Sequence, residues 1–419
     1  MNDIVIVGGS VLTVDGIESV DIGITGGKVT EIGKNLDGGS VINASGSWVG
    51  PSFVDVHTHL REPGFEWKET IATGTEAAAA GGYGGVVAMP NTDPVTDNAQ
   101  IAMYVAQRGT QAGFTDVTPA GAITMGRAGD KMSHIDEMWS AGVRMFTDDG
   151  DSVADAAVLR LAMEYIANLG GVVAQHAVDA DLSRHGFMHE GSVSSLLGMA
   201  AIPAEAEEIV IARDLALVRL TGVRYHLQHV ATRRGVELVA QAKDDGLPIT
   251  AEVTPHHLMF DETFVASMDP DYKMMPPLRS ASDRDALRAG LVSGVIDVVA
   301  TDHAPHAPRE QEVPFEHAPN GVIGLEWAAS VAHEVIGDDQ MRFFAAMSQT
   351  PAQIASMEGH GEALAVGHDA NIVVFNPTTE WTATATRSMS RNAPYLGTTL
   401  QGRVLSTILR GDVTYAAEG

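Results

Sequence analysis

The chain has 419 residues, of which 45% are hydrophobic and 19% are charged, and its formal net charge is −28 at pH 7. This apolar content is enough for full cores and excludes a mainly disordered chain. The acidity gives no attraction to nucleic acid or anionic lipid, so neither is predicted as a partner. With no cysteine present, disulfides, thiolate catalysis and cysteine-bound metals are excluded.

The opening residues carry no basic start and no long apolar run, so neither a secretion signal nor an anchor is expected. No window approaches about 18 uninterrupted apolar residues, which argues against a transmembrane helix. The prediction is a cytoplasmic protein.

Residues 1–50 form short apolar runs separated by Gly-Gly and Asp-Gly pairs, a pattern typical of strands and hairpin turns. The last part of the chain has the same pattern. Neither end is long enough to form a large sheet alone. We therefore predict one small composite β domain built from both termini, residues 1–50 plus 363–419.

The central residues, 51–362, alternate short apolar strands with helical patterns, which predicts a parallel α/β sheet. Eight such strands favour a TIM-like (β/α)8 barrel over an open sheet. The predicted strands are 52–59, 83–90, 117–124, 142–149, 171–176, 223–229, 247–254 and 296–302.

Polar side chains recur at or just after the carboxyl ends of these strands. They are His57, His59, Asn91, Asp148, Asp149, His176, His229 and Asp302. A barrel of this class places its active site at that face. Side chains placed by chance would not share this position, so an active site is predicted there.

His57 and His59 are two residues apart on a strand, so both imidazoles should face the same side and begin a divalent metal site. Asp55 shares that face and is expected to orient one histidine. A histidine pair at this spacing is a weak signal by itself. The further histidines and aspartates exceed what one metal needs, and two metals sharing a carboxylate would use them all. Nitrogen and oxygen donors without sulfur fit zinc first, then manganese, cobalt or iron.

Longer motifs carry a specific resemblance. They are HTHLREPG (57–64), MPNTDP (89–94), FTDDG (146–150), IPAEAEEIVIARDL (202–215), TAEVTPHH (250–257), PPLR (276–279) and ATDHAPH (300–306). Together they resemble the type I dihydroorotases of the amidohydrolase superfamily, over essentially the whole chain. The resemblance implies a metal-dependent hydrolase with the barrel and composite β domain described above.

The resemblance also implies a role for each metal ligand. His57, His59 and Asp302 match the ligands of the first metal, and His176 and His229 match those of the second. Many superfamily members connect the two metals through a carboxylated lysine after strand four. Here Asp149 occupies that place, and Asp148 is its nearest rival. The implied cofactor is a pair of divalent ions, zinc in the first instance.

The implied reaction is reversible hydrolysis of L-dihydroorotate to N-carbamoyl-L-aspartate in UMP biosynthesis. Asp302 would accept a proton from the attacking water and pass it to the leaving ring nitrogen. Arg61 would bind the substrate carboxylate in a fork geometry. Asn91, His306 and Gly321 match further substrate contacts.

Two substrate positions depart from the family pattern. Met275 replaces an asparagine before Pro-Pro-Leu-Arg, and a thioether cannot donate a hydrogen bond. Asn320 stands where the family commonly has phenylalanine. Both changes concern the substrate contacts and leave the metal ligands intact. The proline-rich and charged stretch 304–321 is expected to form a long loop over the barrel mouth.

Two alternatives remain open. One is a related cyclic amidase acting on hydantoin or allantoin. Met275, which departs from the dihydroorotase pattern, supports it, although such relatives usually carry the lysine and lack LREPG. A non-catalytic partner subunit of aspartate carbamoyltransferase is the other, although such proteins typically lose metal ligands. The resemblance also implies a homodimer and leaves open an association with aspartate carbamoyltransferase. Bound metal and substrate turnover separate the alternatives.

Overall fold

The computed structural model describes residues 2–417 and places a barrel beside a smaller, two-sheet β domain. Met1, Glu418 and Gly419, which the predicted domain limits include, lie outside the described residues. The first seven strands are β1 (Asn2–Val7), β2 (Ser10–Thr13), β3 (Gly16–Ser19), β4 (Asp21–Thr25), β5 (Lys28–Gly33), β6 (Gly38–Asn43) and β7 (Trp48–Pro51).

The barrel contains the eight predicted strands, which pair in parallel. They are β8 (Phe53–Thr58), β9 (Tyr83–Ala88), β10 (Asp116–Pro119), β11 (Met145–Phe146), β12 (Val172–Gln175), β15 (Arg224–Leu227), β16 (Ile249–Val253) and β17 (Val298–Val299). A short parallel pair, β13 (Met188–His189) and β14 (Ala201–Ile202), lies between β12 and β15 in the chain.

The strands form two hydrogen-bonded groups, β10-β9-β8 and β11-β12-β15-β16-β17. Single bridges join Thr58 to His303 and Gly121 to Phe146, so the groups close into a barrel. The paired parts of the fourth and eighth strands are shorter than predicted. In the eighth, Asp302 has a φ of 46°, so the backbone leaves the extended conformation as it reaches the rim.

Helices surround the barrel and extend between its strands. They are α1 (Ile71–Ala80), α2 (Ala99–Ala112), α3 (Ile135–Ser140), α4 (Ala156–Leu169), α5 (Ala180–Ser183), α6 (Ser192–Leu197), α7 (Glu205–Thr221), α8 (Arg233–Asp244), α9 (Pro255–Met259), α10 (Ala281–Ser293), α11 (Pro308–Gln311), α12 (Ala328–Ile336), α13 (Gln340–Phe344) and α14 (Thr350–Ala355). Within residues 2–417, no helix is both long and apolar enough to cross a membrane.

Helix α4 illustrates how local sequence sets these bounds. The Asp155 side chain accepts hydrogen bonds from the amides of Ala157 and Val158, which otherwise have no partner in the first turn. Gly170 ends the helix with a φ of 82°, a conformation that favours glycine. The buried face of α4 is Leu159, Ala162, Met163 and Ile166. This face packs the helix into the main hydrophobic core.

The β domain combines both ends of the chain, as predicted. The remaining strands are β18 (Ile372–Thr382), β19 (Thr399–Leu409) and β20 (Asp412–Ala416). Strand β7 pairs with β18 on one side and β2 on the other, within a six-stranded sheet of order β20-β19-β18-β7-β2-β3. The second sheet has the order β5-β4-β1-β6. Domain limits at 50/51 and 362/363 stay a prediction.

Candidate metal centre and substrate cavity

Six side chains of the kinds that bind metals meet at the carboxyl ends of the barrel strands. They are His57, His59, Asp149, His176, His229 and Asp302. Each of the six residues is at most 7% exposed. The parallel strands all end at this rim, so residues far apart in the chain come together.

One group of ligand atoms is formed by His57, His59 and Asp302. Oδ1 of Asp302 lies 2.9 Å from Nε2 of His59 and 3.5 Å from Nε2 of His57. One nitrogen or oxygen from each residue lies within 4.8 Å of the others. This spacing suits three ligands of a single divalent cation.

Asp149 lies between this group and the other two histidines. Its Oδ1 is 3.2 Å from Nε2 of His57, 3.8 Å from Nε2 of His229 and 3.7 Å from Nδ1 of His176. Its Oδ2 is 3.4 Å from Nε2 of His59. The Asp149 carboxylate therefore lies among all four histidines, with Oδ2 toward His59 and Oδ1 toward the other three.

Asp148, the rival of Asp149, points elsewhere. Its Oδ1 accepts a hydrogen bond from the backbone amide of Thr124 at 3.0 Å, and its Oδ2 accepts one from the Thr124 hydroxyl. Burial raises the pKa of the Asp148 carboxyl, while these hydrogen bonds lower it, and the net direction is upward. In this geometry Asp148 supports the neighbouring loop and Asp149 faces the histidines.

Two atoms at the centre of the cluster lack the hydrogen bonds that their burial calls for. Nε2 of His57 and Oδ1 of Asp149 are buried and have no hydrogen-bond partner. Buried polar atoms without partners carry a desolvation cost. A divalent cation bound by these two atoms would remove that cost, and their chemistry matches what such cations accept.

The electrostatics of the cluster also favour a cation. Burial lowers the pKa of His57, but Asp149, Glu252 and Asp302 raise it, so that the net pKa lies well above its usual value. Burial raises the pKa of Asp149, but His57 and its other histidine neighbours bring it well below the usual value. The carboxylates therefore stay ionised and make the centre attractive to positive charge.

Glu252, on β16, is a part of the centre that the sequence analysis missed. Its Oε1 accepts from Nδ1 of His57 at 2.6 Å and from the backbone amide of His229 at 3.0 Å. Its Oε2 lies 2.9 Å from Nε2 of His226. With Nδ1 of His57 bound to this carboxylate, Nε2 is the nitrogen left for a metal. Glu252 thus orients one metal-binding candidate and positions the backbone of another.

Glu252→Gln should weaken metal binding by about 10- to 100-fold, because an amide is a poorer acceptor for the His57 imidazole. Competition with a chelator, followed by a count of bound metal, measures the change. Glu207→Gln is the matched control, since Glu207 is equally buried but accepts from the backbone amide of Ala231. Equal metal affinities for both variants would contradict the role of Glu252.

The expected role of Asp55 is wrong. The Asp55 carboxylate accepts from the backbone amides of His57 and Thr301 and from the Thr301 hydroxyl. It fixes the strand under the site, while Glu252 contacts the His57 imidazole.

A cavity of about 430 Å³ opens beside the ligand cluster. It contains every residue that the resemblance assigned to substrate binding, together with five of the six metal-binding candidates. Its lining includes His59, Arg61, Asn91, Asp149, His176, His229, Met275, Asp302, His306, Asn320 and Gly321. The predicted substrate residues therefore surround one space that reaches the metal-binding candidates.

Arg61 brings a positive charge into this cavity. Its Nε donates to the carbonyl oxygen of Pro305 at 3.1 Å, which fixes the side chain. Burial lowers the pKa of Arg61, Asp302 and Asp149 raise it, and the result is about 10. The guanidinium thus stays charged at neutral pH and can bind a carboxylate.

Three of the residues that line this cavity have backbone conformations in the left-handed region. Arg61, His229 and Asp302 have φ values of 62°, 33° and 46°. Non-glycine residues rarely adopt such values, and each costs about 1–3 kcal/mol. All three reach into the cavity, so backbone strain is concentrated where the functional groups are aimed.

Asn91 and His59 form a hydrogen-bonded pair at the rim. Nδ1 of His59 donates to Oδ1 of Asn91 at 2.9 Å. This arrangement leaves Nε2 of His59 facing Asp302 and Asp149. Asn91 therefore orients a metal-binding candidate in addition to lining the cavity.

His306 and Gly321 line another wall of the cavity, next to each other. Nε2 of His306 donates to the carbonyl oxygen of Asn320 at 2.8 Å. Gly321 has a φ of 127°, and a Cβ there would lie 2.6 Å from Cβ of Ala304. Glycine is therefore required where this backbone approaches the cavity.

Met275 makes part of the cavity apolar. It packs against Val178, Ile202 and Ala206, and both Met275 and Val178 line the cavity. Asn320 also lines it, although its side chain is exposed. Neither departure from the family pattern disturbs the ligand cluster, and Met275 replaces a polar contact with a hydrophobic one.

Comparison with known proteins yields a family match over much of the barrel. A family described as Dihydro-orotase-like matches residues 46–235. A dihydroorotase from Mycobacterium bovis is 45% identical over 408 residues, which cover 95% of each chain. A dihydroorotase from Streptomyces coelicolor is 44% identical over 409 residues, covering 95% of this chain and 96% of the relative.

Solved structures show the same fold. An L-hydantoinase (dihydropyrimidinase) from Arthrobacter aurescens superposes with a TM-score of 0.87 at 25% identity, covering 99% of this chain and 96% of the other. A dihydropyrimidinase from Brevibacillus agri has a TM-score of 0.84 at 25% identity, with coverages of 99% and 95%. The predicted barrel with a composite β domain is confirmed.

Proposed function

The chain belongs to the dihydroorotase family of metal-dependent cyclic amide hydrolases, and we propose that its barrel mouth binds two divalent cations. His57, His59 and Asp302 would hold one cation, and His176 and His229 the other. Asp149 would contact both. The observation that carries this assignment is that the Asp149 carboxylate lies near histidines of both proposed sites, with Oδ2 3.4 Å from His59 and Oδ1 3.7 Å from His176 and 3.8 Å from His229.

Zinc is the metal that we propose, because the donors are imidazole nitrogens and carboxylate oxygens without sulfur. When bound, such ions lower the pKa of water toward neutrality and polarise a carbonyl group. The activity is that of a dihydroorotase, the reversible hydrolysis of L-dihydroorotate to N-carbamoyl-L-aspartate. We propose UMP biosynthesis as its pathway.

Asp302 is proposed as the general base and acid. It lines the cavity and lies 2.9 Å from Nε2 of His59. Burial raises the pKa of its carboxyl, whereas His57 and His59 lower it, so the net direction is downward and the group is ionised before the reaction. In hydrolysis it accepts the proton of the attacking water and delivers it to the ring nitrogen as the amide bond breaks. In the reverse direction the same carboxyl returns the proton.

Arg61 is proposed to bind the carboxylate of dihydroorotate. Its guanidinium is held by Pro305 and lines the same cavity as Asp302. The amide of Asn91, the imidazole of His306 and the main chain of Gly321 are proposed as further contacts. Met275 then contributes an apolar contact, and Asn320 lies at the cavity edge.

Arg61→Ala should raise the KM for L-dihydroorotate by about 10- to 100-fold, since a charge-assisted hydrogen bond contributes about 1.5–3 kcal/mol. Metal content should not change. Steady-state kinetics on protein of known metal content measures both. Arg108→Ala is the control, because Arg108 pairs with Glu62 close by and does not line the cavity. An unchanged KM for Arg61→Ala would show that another group binds the carboxylate.

A hydantoinase-like activity is the second candidate, and one observation favours it. Met275 and Val178 give the cavity an apolar wall that an uncharged ring substituent could contact. Parallel assays with L-dihydroorotate, hydantoin and allantoin separate the candidates. Dihydroorotate should be the preferred substrate, because Arg61 would have no carboxylate partner with the others. Preference for hydantoin or allantoin would contradict the proposed function.

Assembly and location are proposed from the family alone. We propose a homodimer and a cytoplasmic location. We also propose an association with aspartate carbamoyltransferase in which this chain remains a catalytic subunit. The complete ligand set supports a catalytic subunit rather than a non-catalytic partner. Light scattering on the purified chain, alone and mixed with aspartate carbamoyltransferase, tests both assemblies.

A further inference from the structure

Lys273 is a buried cation beside the segment that closes one side of the cavity. Only 4% of its surface is exposed. Its Nζ donates to the carbonyl oxygens of Phe315 at 2.8 Å, Glu316 at 3.1 Å and Ala318 at 2.7 Å. An ammonium group has three N–H donors, so these three bonds use all of them.

The surroundings of this ammonium replace its hydration. It lies 5.2 Å from the ring centre of Phe187 and 5.4 Å from that of Phe315. Burial lowers the pKa of Lys273, and the side chain of Glu316 raises it in part. A buried charge is tolerated only where polar groups or ring faces compensate for lost water. Most of the compensation for lost hydration comes from the carbonyl oxygens. The charge of Lys273 and the conformation of the loop therefore depend on each other.

The main chain of Lys273 contacts the same segment at its other end. The amide of Gly321 donates to the carbonyl oxygen of Lys273 at 2.8 Å. The side chain therefore holds residues 315–318, and the backbone holds residue 321. One residue of the adjoining loop thus contacts segment 315–321 near both of its ends.

This segment carries one proposed substrate contact and supports another. Gly321 lines the cavity itself, and the carbonyl oxygen of Asn320 accepts from Nε2 of His306 at 2.8 Å. On the opposite side, Nδ2 of Asn392 donates to the carbonyl oxygen of Gly321 at 2.9 Å. The position of Gly321 is thus set between Lys273 and Asn392.

We propose that Lys273 is a positioning residue for substrate binding. It fixes segment 315–321 so that the main chain of Gly321 and the imidazole of His306 meet the cyclic amide. Lys273 does not line the cavity, so it acts only through this segment. The inference rests on the proposed function of the cavity. It predicts a change in substrate affinity, with metal binding and chemistry preserved.

The test compares Lys273→Met with Lys243→Met in the metal-loaded enzyme. Lys243 is the matched control, because its Nζ donates to the carbonyl oxygen of Gly294 at 3.3 Å and to Asp297 at 2.7 Å, outside the cavity. Lys273→Met should raise the KM for L-dihydroorotate by at least about 10-fold while kcat stays within about threefold. Lys243→Met should keep the wild-type KM, and both variants should keep their metal.

Hydrogen–deuterium exchange gives a second measurement that does not depend on turnover. Amides of residues 315–321 should exchange faster in Lys273→Met than in wild type, while barrel amides stay unchanged. If Lys273→Met does not fold, Lys273→Gln, which keeps two N–H donors, should show a smaller effect of the same kind.

Three outcomes are distinguishable. An unchanged KM and unchanged exchange in the folded variant would overturn the inference. Equal effects in Lys243→Met and Lys273→Met would also overturn it, because a general loss of stability would then explain both. A wild-type enzyme that does not turn over dihydroorotate would contradict the proposed function, while faster exchange in Lys273→Met would still support the positioning of the segment.

Discussion

Asp302→Asn is expected to lower kcat by at least about 10³-fold in both directions of the reaction, since proton transfer by a positioned group contributes about 10²–10⁴-fold. The amide keeps the shape of the carboxylate and one oxygen that can bind a cation, but it cannot accept a proton. Metal content should therefore fall less than activity. Asp302→Ala also removes the metal-binding oxygen, so this variant should lose both activity and bound metal.

The control for this prediction is Asp297, which lies before strand β17 as Asp302 lies after it. Asp297 accepts hydrogen bonds from Lys243 and from the backbone amide of Ala251. Asp297→Asn should lower stability but retain turnover per folded molecule. Near-normal kcat in metal-loaded Asp302→Asn would show that another group transfers the proton.

Asp149→Ala is expected to remove at least one of the two metal ions and to lower kcat by at least about 10³-fold. The reason is that its carboxylate lies 3.4 Å from His59 of one proposed metal site and 3.8 Å from His229 of the other, so its loss affects both sites. Elemental analysis after dialysis gives the metal content, and kinetics on the same sample gives kcat.

Asp148→Ala provides an adjacent control. Its carboxylate bonds Thr124, so this change should lower stability and leave the metal content near that of wild type. Equal loss of metal in the two variants would mean that metal binding depends on the stability of the loop. Asp149 would then not be a metal ligand.

The barrel, and the meeting of its candidate metal ligands at one rim, could be predicted from the sequence for a specific physical reason. Parallel strands end at one rim, so residues such as His176, His229 and Asp302 could be placed together from their position at strand ends alone. That reasoning did not decide between Asp148 and Asp149. The family resemblance favoured Asp149, and the Thr124 hydrogen bonds of Asp148 agree with this choice.

Other features depend on contacts that a linear pattern does not contain. Glu252 meets His57 across 195 positions of sequence, and its place inside strand β16 carried no strand-end signal. The contact of Asp55 was misjudged because its carboxylate bonds the backbone amides of His57 and Thr301 and not an imidazole. The burial of Lys273 has no signal in the sequence, since its hydrogen-bond partners are backbone carbonyl oxygens.

The proposed two-metal dihydroorotase activity is tested most directly by turnover of L-dihydroorotate and N-carbamoyl-L-aspartate by the purified chain before and after metal removal. We expect turnover in both directions with about two divalent ions per chain. Chelation should abolish turnover, and added zinc should restore it. Turnover that survives complete metal removal would contradict the proposed role of the metals. A chain with both metals bound that does not act on dihydroorotate would contradict the proposed activity.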